Sequence, residues 1–463
     1  MSIRFGTSGW RAVIADEFTF ANVELVTKAI CSYLKTNGES ARPIVIGNDS
    51  RFMGESFVSV AANIAASKGF RVLRCSGTTP TPAISFAIRS KGAAGGINFT
   101  ASHNPPEYQG IKFSTADGAP ALPEVTSQIE AAIVDPELAV DDAPGGSVDD
   151  LDARDIYLAD LAAKIDFNAI ASAGGRFAYD PLWGTGRGYL DKVLRDHGLA
   201  VETLHDWRDV TFGGQAPEPG EEHIAELKSL VIEKDLTLGL ATDGDADRFG
   251  IIDSNGTFIT PNELIAVLTD YLAESRGWKD GVARSVATSH LVDRVAEARG
   301  LELFETPVGF KFIGELINKD AIILGGEESA GLSIKGHYPE KDGILACLLA
   351  VEAVAVRKAS LTEQLSELWS RVGRLYSDRI GVRLTPEVAE KLKEKLAADP
   401  SEIAGRKVEN VNRLDGVKYF FAGGAWMLMR PSGTEPMVRI YAESDSMDDV
   451  ERLLEAGKRY LLD

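Results

Sequence analysis

The fold class of this chain can be inferred from residues 44–73, IVIGNDSRFMGESFVSVAANIAASKGFRVL. The run Ile44-Val45-Ile46-Gly47 is apolar and short, which is typical of a buried strand. Residues 56–68 have the spacing of an amphipathic helix that Gly69 ends, and residues 70–73 predict the next strand. Strands that alternate with helices in this way indicate α/β layers.

The same pattern resumes at residues 176–179, 189–196 and 237–241. A helix start is predicted at Thr260-Pro261-Asn262-Glu263, where Thr260 can cap, Pro261 suits the first turn and Glu263 can close a capping box. We find no strict internal sequence repeat.

The last segment has a different pattern. Its strand-like runs surround one helix and precede another, which predicts a small antiparallel sheet backed by helices, an α+β unit. These runs are residues 378–383, 417–422, 426–430 and 437–443.

The length of 463 residues predicts three or four domains. Residues 135–152, rich in acid, Pro and Gly, are interpreted as a linker, and further breaks are expected near residues 255–256 and 359–360. The predicted domains are residues 1–145, 146–255, 256–360 and 361–463.

The composition is that of a globular protein, with 44% hydrophobic and 25% charged residues. A formal net charge of −20 argues against nucleic acid and anionic membranes as partners. The apolar run 344–356 is too short to span a bilayer, and residues 1–6 lack a signal-peptide pattern. Cys31, Cys75 and Cys347 are scattered among apolar neighbours, so we expect buried thiols and a cytoplasmic location.

The first loop whose side chains could take part in a reaction is Thr100-Ala101-Ser102-His103-Asn104-Pro105. It follows the strand-like residues 96–99, and Pro105-Pro106 forbids regular structure after it. Such a turn can hold a side chain in a strained, exposed position, which suits a nucleophile. The alternative is a Ser-His pair that only stabilises a turn or caps a helix.

The second loop is Asp243-Gly244-Asp245-Ala246-Asp247-Arg248, between two apolar strands. Three carboxylates at alternate positions can converge on one hard cation, and oxygen ligands suit Mg²⁺. The alternatives are a solvated acidic turn and an EF-hand loop. The EF-hand pattern requires Glu at the twelfth position, where this chain has Ser254.

The third loop, residues 325–331 (GGEESAG), follows the apolar residues 321–324. Glu327 and Ser329, at alternate positions of an extended backbone, are expected to face one way and to offer partners for a polyol such as a sugar. Taken alone, an acidic Gly-rich segment is equally consistent with an ordinary loop.

The fourth loop, residues 430–436 (RPSGTEP), is followed by Arg439. Two hydroxyls, a Gly and an Arg predict a phosphate cradle. A hairpin turn is also predicted here, and the two interpretations are compatible. Together the four loops supply what phosphoryl transfer to a sugar phosphate needs.

With these four loops in order, the chain closely resembles the α-D-phosphohexomutase family, from Gly6-Thr7-Ser8-Gly9-Trp10-Arg11 to its C-terminal helix. The resemblance implies four domains around a central cleft: three similar α/β domains with mixed sheets and a smaller α+β C-terminal domain, each giving one loop to the site. It implies an isomerase that interconverts hexose 1-phosphate and hexose 6-phosphate through a phosphoserine and a bisphosphorylated sugar. Mg²⁺ is the implied cofactor, glucose 1,6-bisphosphate the implied activator, and a monomer or dimer the expected state.

The resemblance also assigns residues. Ser102 would be the phosphoserine and would hold Mg²⁺ with Asp243, Asp245 and Asp247. Charge stabilisation and acid–base work would fall to Arg11, Lys112, Arg248, His337 and Lys341. Substrate contacts would come from Gly309, Phe310, Glu327, Ser329, Arg430, Ser432, Gly433, Thr434 and Arg439.

The sugar is indicated by three segments. Glu327-Glu328-Ser329, the Thr306-Pro307-Val308-Gly309-Phe310-Lys311 turn and Ala283-Arg284-Ser285 are similar to the glucose-specific members, although Trp is usual where this chain has Phe310. Glucose is therefore favoured. A phosphomannomutase or a dual enzyme is the alternative, and a glucosamine-phosphate mutase is disfavoured because Gln is usual at the position of Glu328.

Two other classes are weighed against this interpretation. A metal-dependent phosphatase or nuclease would use the triple-Asp loop but would leave Ser102 and the fourth loop without a role. A sugar-phosphate sensor or scaffold would be expected to lack at least one chemical residue, whereas all of them are present.

Overall fold

The computed structural model describes residues 3–6, 9–135, 140–432 and 437–462. It contains four sheets, three of them mixed and one antiparallel, in the order of the chain. The predicted fold class, three α/β domains with mixed sheets and a smaller C-terminal domain, is confirmed.

The first sheet has six strands in the order β1-β5-β4-β2-β3-β6. Its strands are β1 (Trp10–Val13), β2 (Ile44–Asn48), β3 (Arg71–Cys75), β4 (Gly95–Phe99), β5 (Tyr108–Thr115) and β6 (Ser147–Leu151). Its helices are α1 (Phe20–Thr36), α2 (Gly54–Ser67), α3 (Thr81–Ser90) and α4 (Pro123–Val134). The apolar face of α2 packs on the parallel core strands, as its sequence period predicts.

The second sheet has five strands in the order β11-β10-β9-β7-β8. Its strands are β7 (Arg176–Asp180), β8 (Ala200–Thr203), β9 (Leu238–Thr242), β10 (Phe249–Asp253) and β11 (Phe258–Ile259). Its helices are α5 (Arg154–Ala162), α6 (Phe167–Ala173), α7 (Leu190–Asp196) and α8 (Ala225–Glu233).

The third sheet has four strands in the order β13-β12-β14-β15. Its strands are β12 (Gly281–Ser285), β13 (Leu303–Thr306), β14 (Ile322–Glu327) and β15 (Gly331–Ile334). Its helices are α9 (Pro261–Ser275), α10 (Leu291–Arg299), α11 (Phe310–Asn318), α12 (Gly343–Arg357) and α13 (Leu361–Val372). The capping box predicted at Thr260 and Glu263 is present at the start of α9.

The fourth sheet is antiparallel, in the order β16-β21-β20-β19-β18-β17. Its strands are β16 (Tyr376–Arg383), β17 (Glu402–Ile403), β18 (Arg406–Asn412), β19 (Val417–Phe421), β20 (Trp426–Pro431) and β21 (Met437–Ser444). Its helices are α14 (Pro386–Ala397) and α15 (Met447–Leu462). β17 and β18 were not predicted, because exposed polar residues dominate their sequences.

A common topology recurs in the first three sheets. Each has parallel strands on one side and then an antiparallel hairpin, formed by β4–β5, β9–β10 and β14–β15. The loops of these hairpins are the three loops singled out in the sequence, and the fourth loop connects the hairpin β20–β21. The repeat therefore lies in the topology, where the sequence showed none.

Three elements lie beyond the predicted boundaries. The interpretation of residues 135–152 as a linker is wrong for its end, because β6 pairs with β3 in the first sheet. β11 pairs with β10 of the second sheet, and the apolar face of α13 packs into the core around α9 and α12. Divisions after residues 152, 259 and 372 would keep each sheet together with its packed helices.

The apolar run 344–356 forms most of α12, whose buried face joins the largest hydrophobic core. Among the described residues, we find no helix long and apolar enough to cross a bilayer. The three cysteines are free and buried, as predicted.

Candidate active site

The turn between β4 and β5 holds Ser102 in a left-handed backbone conformation, with φ of 52°. This strain was predicted, but the expected exposure is wrong, because Ser102 is only 1% exposed. Its Oγ donates to Asp243 Oδ2 at 2.8 Å, and His103 Nδ1 lies 3.4 Å from the same Ser102 oxygen. Two domains therefore meet at this hydroxyl.

The loop between β9 and β10 approaches Ser102 closely. A Cβ at Gly244 would lie 2.8 Å from the carbonyl oxygen of Ser102, so only glycine fits there without a shift. Ala246 has a left-handed backbone with φ of 59°. These features turn the loop so that its three carboxylates face the first domain.

Asp243, Asp245 and Asp247 are each 0% exposed, and one carboxylate oxygen from each lies within 4.8 Å of the others. Asp243 Oδ1 accepts from the backbone N–H of Arg248 at 2.9 Å. Three acids in this volume require compensation by cations.

Two lysines from other domains provide part of that compensation. Lys112 Nζ, on β5, lies 2.7 Å from Asp245 Oδ2 and 2.8 Å from Asp247 Oδ2. Lys341 Nζ lies 2.6 Å from Asp247 Oδ2. The carboxylate cluster thus joins side chains from the first three domains.

Two oxygens of the cluster stay uncompensated. Within the described residues, Asp245 Oδ1 and Asp247 Oδ1 are buried and have no hydrogen-bond partner. Buried oxygens without partners are costly, and oxygen donors at this spacing are what Mg²⁺ prefers. The residues present therefore fit a divalent cation held by the Asp triad.

The electrostatics of the triad are uneven. Burial, together with Asp247 and Asp245, raises the pKa of Asp243 well above its usual value. Burial opposes ionisation of Asp245 too, but Lys112 and Lys341 hold the pKa of that carboxyl well below its usual value. The lysines therefore keep the Asp245 side of the cluster charged.

Two arginines flank the cluster. Arg11 Nη1, on β1, donates to Asn104 Oδ1 of the Ser102 turn at 2.6 Å. Burial, with Arg248 nearby, lowers the pKa of Arg11 to about 10. Arg248 Nη1 lies 3.3 Å from Glu218 Oε1. In the described part of the chain, the Nε of each arginine is buried without a hydrogen-bond partner.

The third loop differs from its prediction. The extended backbone ends at Glu327, and residues 328–330 form a turn, so Glu327 and Ser329 do not follow one strand face. Glu327 Oε1 accepts from the backbone N–H of Gly309 at 2.7 Å. Burial, with Glu328 beside it, raises the pKa of Glu327 to about 7.

Ser329 lines a cavity of about 440 Å³ between the second, third and fourth domains. Arg248, Glu328, Arg379 and Tyr441 line the same cavity. Its volume is in the range of small-molecule sites.

The fourth loop connects β20 and β21, as the predicted hairpin requires, with Arg430 opposite Arg439 in the register. Arg430 pairs with Asp415 at 3.1 Å, and the backbone N–H of Ser432 donates to Met437 O at 2.8 Å. Gly433 and Thr434, both predicted phosphate contacts, lie outside the described residues.

Two of the predicted site residues, His337 and Phe310, make their main contacts away from the carboxylate cluster. His337 is buried with Nε2 3.0 Å from Asp342 Oδ2, and its polar contacts are with Asp342 and Asp160 instead of the carboxylate cluster. Phe310 packs in the apolar core beneath β12 and also lines a small cavity beside Lys112 and Lys341.

Sequence reasoning missed Thr81 and Arg51. Thr81 Oγ1 donates to Asp245 Oδ2 at 2.5 Å, and its N–H donates to Asp245 O at 2.9 Å. Arg51 donates to the carbonyl of Ser102. Their position in the sequence could have indicated them, because both residues follow the carboxyl ends of predicted parallel strands, where α/β sheets bind ligands.

Comparison with known proteins gives the family. Profiles of the phosphoglucomutase/phosphomannomutase family match in four parts: alpha/beta/alpha domain I at residues 2–139, domain II at 155–256, domain III at 260–372 and the C-terminal domain at 387–457.

Whole-chain relatives agree. A phosphoglucomutase/phosphomannomutase from Thermococcus kodakarensis is 30% identical over 99% of this chain and 98% of its own. A phosphoglucomutase from Komagataeibacter xylinus is 31% identical over 96% of this chain and 87% of its own. A crystal structure from Thermus thermophilus, provisionally described as a phosphomannomutase, superposes with a TM-score of 0.87 at 35% identity, covering 99% of both chains.

The resemblance inferred from the four loops is thereby confirmed. The chain belongs to the phosphoglucomutase/phosphomannomutase family of phosphohexomutase enzymes.

Proposed function

We propose that this chain is a phosphoglucomutase that interconverts glucose 1-phosphate and glucose 6-phosphate through a phosphorylated Ser102. The observation that carries the proposal is the contact of Ser102 Oγ with Asp243 Oδ2 at 2.8 Å. It aims a strained seryl hydroxyl at a buried carboxylate cluster with two uncompensated oxygens.

The reaction would consist of two transfers. In the first, the bond between Ser102 Oγ and phosphorus would break as O6 of glucose 1-phosphate bonds to that phosphorus, and the O6 hydroxyl proton would pass to Ser102 Oγ, giving glucose 1,6-bisphosphate. The bisphosphate would then turn over in the cleft. In the second transfer, the bond from O1 to phosphorus would break as Ser102 Oγ bonds to that phosphorus, and the Ser102 hydroxyl proton would pass to O1, giving glucose 6-phosphate and phospho-Ser102. Glucose 1,6-bisphosphate would also act as the activator that phosphorylates Ser102 initially.

Asp243, Asp245, Asp247 and the Ser102 phosphate would hold Mg²⁺. When bound, the ion would withdraw negative charge from the transferring phosphoryl group. Arg11 and Arg248, on either side of the cluster, would stabilise the charge that spreads over the phosphoryl oxygens. Mg²⁺, Arg11 and Arg248 would give the site a local positive charge, so that a chain of net charge −20 could bind an anionic substrate.

Proton transfer is assigned to the two lysines of the cluster. The carboxylates Asp245 and Asp247 raise the pKa of Lys112 despite burial, so Lys112 stays protonated and would present an ammonium to the leaving oxygen. Lys341 lies on the same carboxylate, Asp247, and is the second candidate. We favour Lys341 over His337, because His337 is occupied by Asp342.

The non-reacting phosphate would be held by the fourth loop, through Arg430, Ser432, Gly433, Thr434 and Arg439. Glu327 and Ser329 would contact the sugar hydroxyls, and Gly309 and Phe310 would shape the sugar site. The hydrogen bond from the Gly309 N–H to Glu327 supports placing these residues in one sugar site, because it connects the third loop to the turn before α11.

Glucose is favoured by the Glu327-Glu328-Ser329 sequence. A phosphomannomutase or a dual glucose/mannose enzyme is the second candidate, because one relative carries both names and the structural neighbour is described as a phosphomannomutase. A cytoplasmic location is proposed on the three free, buried cysteines. A monomeric or dimeric state remains a prediction.

The first prediction concerns the substrate. In a coupled assay primed with glucose 1,6-bisphosphate, kcat/KM for glucose 1-phosphate should exceed that for mannose 1-phosphate and glucosamine 1-phosphate by at least about tenfold. Equal values for glucose and mannose would establish the dual enzyme. Release of free phosphate faster than isomerisation would establish a phosphatase instead.

The second prediction concerns Ser102. Ser102→Ala should lower interconversion by at least about 10³-fold, because the phosphate carrier is lost, and should abolish the phosphorylated peptide in mass spectra. Ser85→Ala is the matched control, since Ser85 has a buried hydroxyl without a partner in the described residues of the same domain. Turnover by Ser102→Ala at the control's rate would refute the phosphoserine role.

The third prediction concerns the metal. Asp245→Asn should raise the Mg²⁺ concentration needed for half-maximal rate by at least about tenfold, because a ligand charge is removed. Titration of the rate and calorimetric Mg²⁺ binding measure it. Asp196→Asn, which removes an exposed carboxyl paired with Lys192, should change neither. Unaltered Mg²⁺ binding in Asp245→Asn would contradict the assignment.

The fourth prediction concerns pH. The folded state raises the pKa of Glu327 from 4.5 to about 7, so it binds the proton more tightly than the unfolded chain. The contribution of Glu327 to stability therefore falls as pH rises from about 4.5 to about 7 and is constant above. Between pH 5.5 and pH 8 the wild type should lose about 2 kcal/mol of unfolding free energy more than Glu327→Gln.

Urea unfolding of both proteins at the two pH values measures this difference. Glu302→Gln, which removes an exposed carboxyl of the same domain, should follow the wild type. A Glu327→Gln profile parallel to that of the wild type would show that Glu327 titrates at its ordinary pH.

A further inference from the structure

The backbone of Ser102 is held from both sides by groups that lie outside the carboxylate cluster. Because an L-residue at φ of 52° is strained, neighbouring groups must hold it there. The residues that do so are found in the turn after β2 and at the end of β4.

On the amide side, the N–H of Ser102 donates to Thr100 Oγ1 at 2.8 Å. The hydroxyl of Thr100 donates in turn to Asp49 Oδ2 at 2.7 Å. Thr100 and Asp49 are both 0% exposed, so water does not compete for these bonds.

On the carbonyl side, Arg51 Nη2 donates to Ser102 O at 2.6 Å. Arg51 Nε donates to Asp49 Oδ2 at 3.1 Å, which is the oxygen that Thr100 also uses. The bonds close a ring that leaves Ser102 by its N–H, passes through Thr100, Asp49 and Arg51, and returns to the Ser102 carbonyl.

The guanidinium of Arg51 extends the ring to the rest of the turn. Nη2 also donates to Asn104 O at 2.5 Å, and Nη1 donates to Pro105 O at 2.7 Å and to Tyr108 O at 3.0 Å. Arg51 is fully buried, with its guanidinium 5.1 Å from the ring of Phe212 in the second domain. A planar fork with five donors suits this set of acceptors, and a lysine does not.

We propose that Asp49, Arg51 and Thr100 are positioning residues that hold Ser102 with its Oγ directed at Asp243. The proposal rests on the proposed function, in which Ser102 carries the phosphoryl group. The sheet does not depend on these side chains, because β2 and β4 pair through their backbones. The N–H groups of the Arg51 guanidinium donate to Asp49, to carbonyls of the Ser102 turn and to the carbonyl of Tyr108, the first residue of β5.

The ring therefore controls geometry at the transferring oxygen and leaves the sugar and phosphate contacts, which lie in the third and fourth domains, in place. Loss of the ring should lower the rate of phosphoryl transfer, with little change in substrate binding. A merely structural role would change both together or neither.

The main test uses Arg51→Lys in the full chain, phosphorylated with glucose 1,6-bisphosphate. Rapid-quench single turnovers with glucose 1-phosphate should show transfer from phospho-Ser102 slowed by about 10²-fold, as expected for a misplaced reacting group. KM for glucose 1-phosphate should change little. Arg299→Lys, which alters the ion pair of a partly exposed arginine with the buried Asp270 in the third domain, is the control for a general arginine-to-lysine effect.

A second pair of variants covers the case in which Arg51→Lys does not fold. Thr100→Val removes the acceptor of the Ser102 N–H and should slow transfer, whereas Thr100→Ser keeps the hydroxyl and should restore it. If the ring acts as one unit, Asp49→Asn combined with Thr100→Val should lose less than the sum of the two single effects.

The outcomes separate the two proposals. Wild-type protein without phosphate on Ser102 would refute the proposed function. Phosphorylated wild type, with Arg51→Lys and Thr100→Val transferring at its rate, would refute the ring alone. The positioning role of the ring would also be refuted if Arg51→Lys and Thr100→Val lost transfer rate and substrate binding together and the control Arg299→Lys showed the same losses.

Discussion

Asp243, Asp245 and Asp247 are packed together without exposure to water, and the structure around them is organised by the need to compensate their charge. Lys112 and Lys341 reach the cluster from two different domains, and Ser102 and Thr81 donate hydrogen bonds to it. Because the second domain alone supplies too few donors, the cluster forms only where the first three domains meet. The hydroxyl of Ser102 is brought to the acids by the same requirement.

The repeated hairpin explains how such a meeting is built. In each α/β domain, a parallel strand is followed by an antiparallel partner in the hairpins β4–β5, β9–β10 and β14–β15, and the hairpin loop projects from the carboxyl end of the parallel strand. A rigid sheet thus holds each loop, while the loop sequence is free to carry a different chemistry. The fourth domain presents its loop from a hairpin too, although its sheet is entirely antiparallel.

Much of this could be predicted, because the relevant signals are local. Apolar runs of period two or 3.6 gave the helices and strands around residues 44–73, and the capping box at Thr260 marked α9. The errors came from non-local pairing. β6 has an acidic sequence that suggests a linker, yet pairing with β3 makes it a strand. The prediction that Glu327 and Ser329 face one way assumed extended backbone through both residues, but β14 ends at Glu327.

The sequence by itself determined the α/β class, the order of the four loops and the residue types in each, because these depend on local pattern and composition. Tertiary structure decided that Ser102 is buried, that Lys112 and Lys341 share Asp247, that His337 faces Asp342 and that Arg51 clamps the Ser102 turn. The contacts of Lys112, Lys341 and Arg51 join residues that the packing of separate elements brings together, whereas His337 and Asp342 meet within the segment between β15 and α12. Their energies arise from burial and charge compensation, which only the packed domains create.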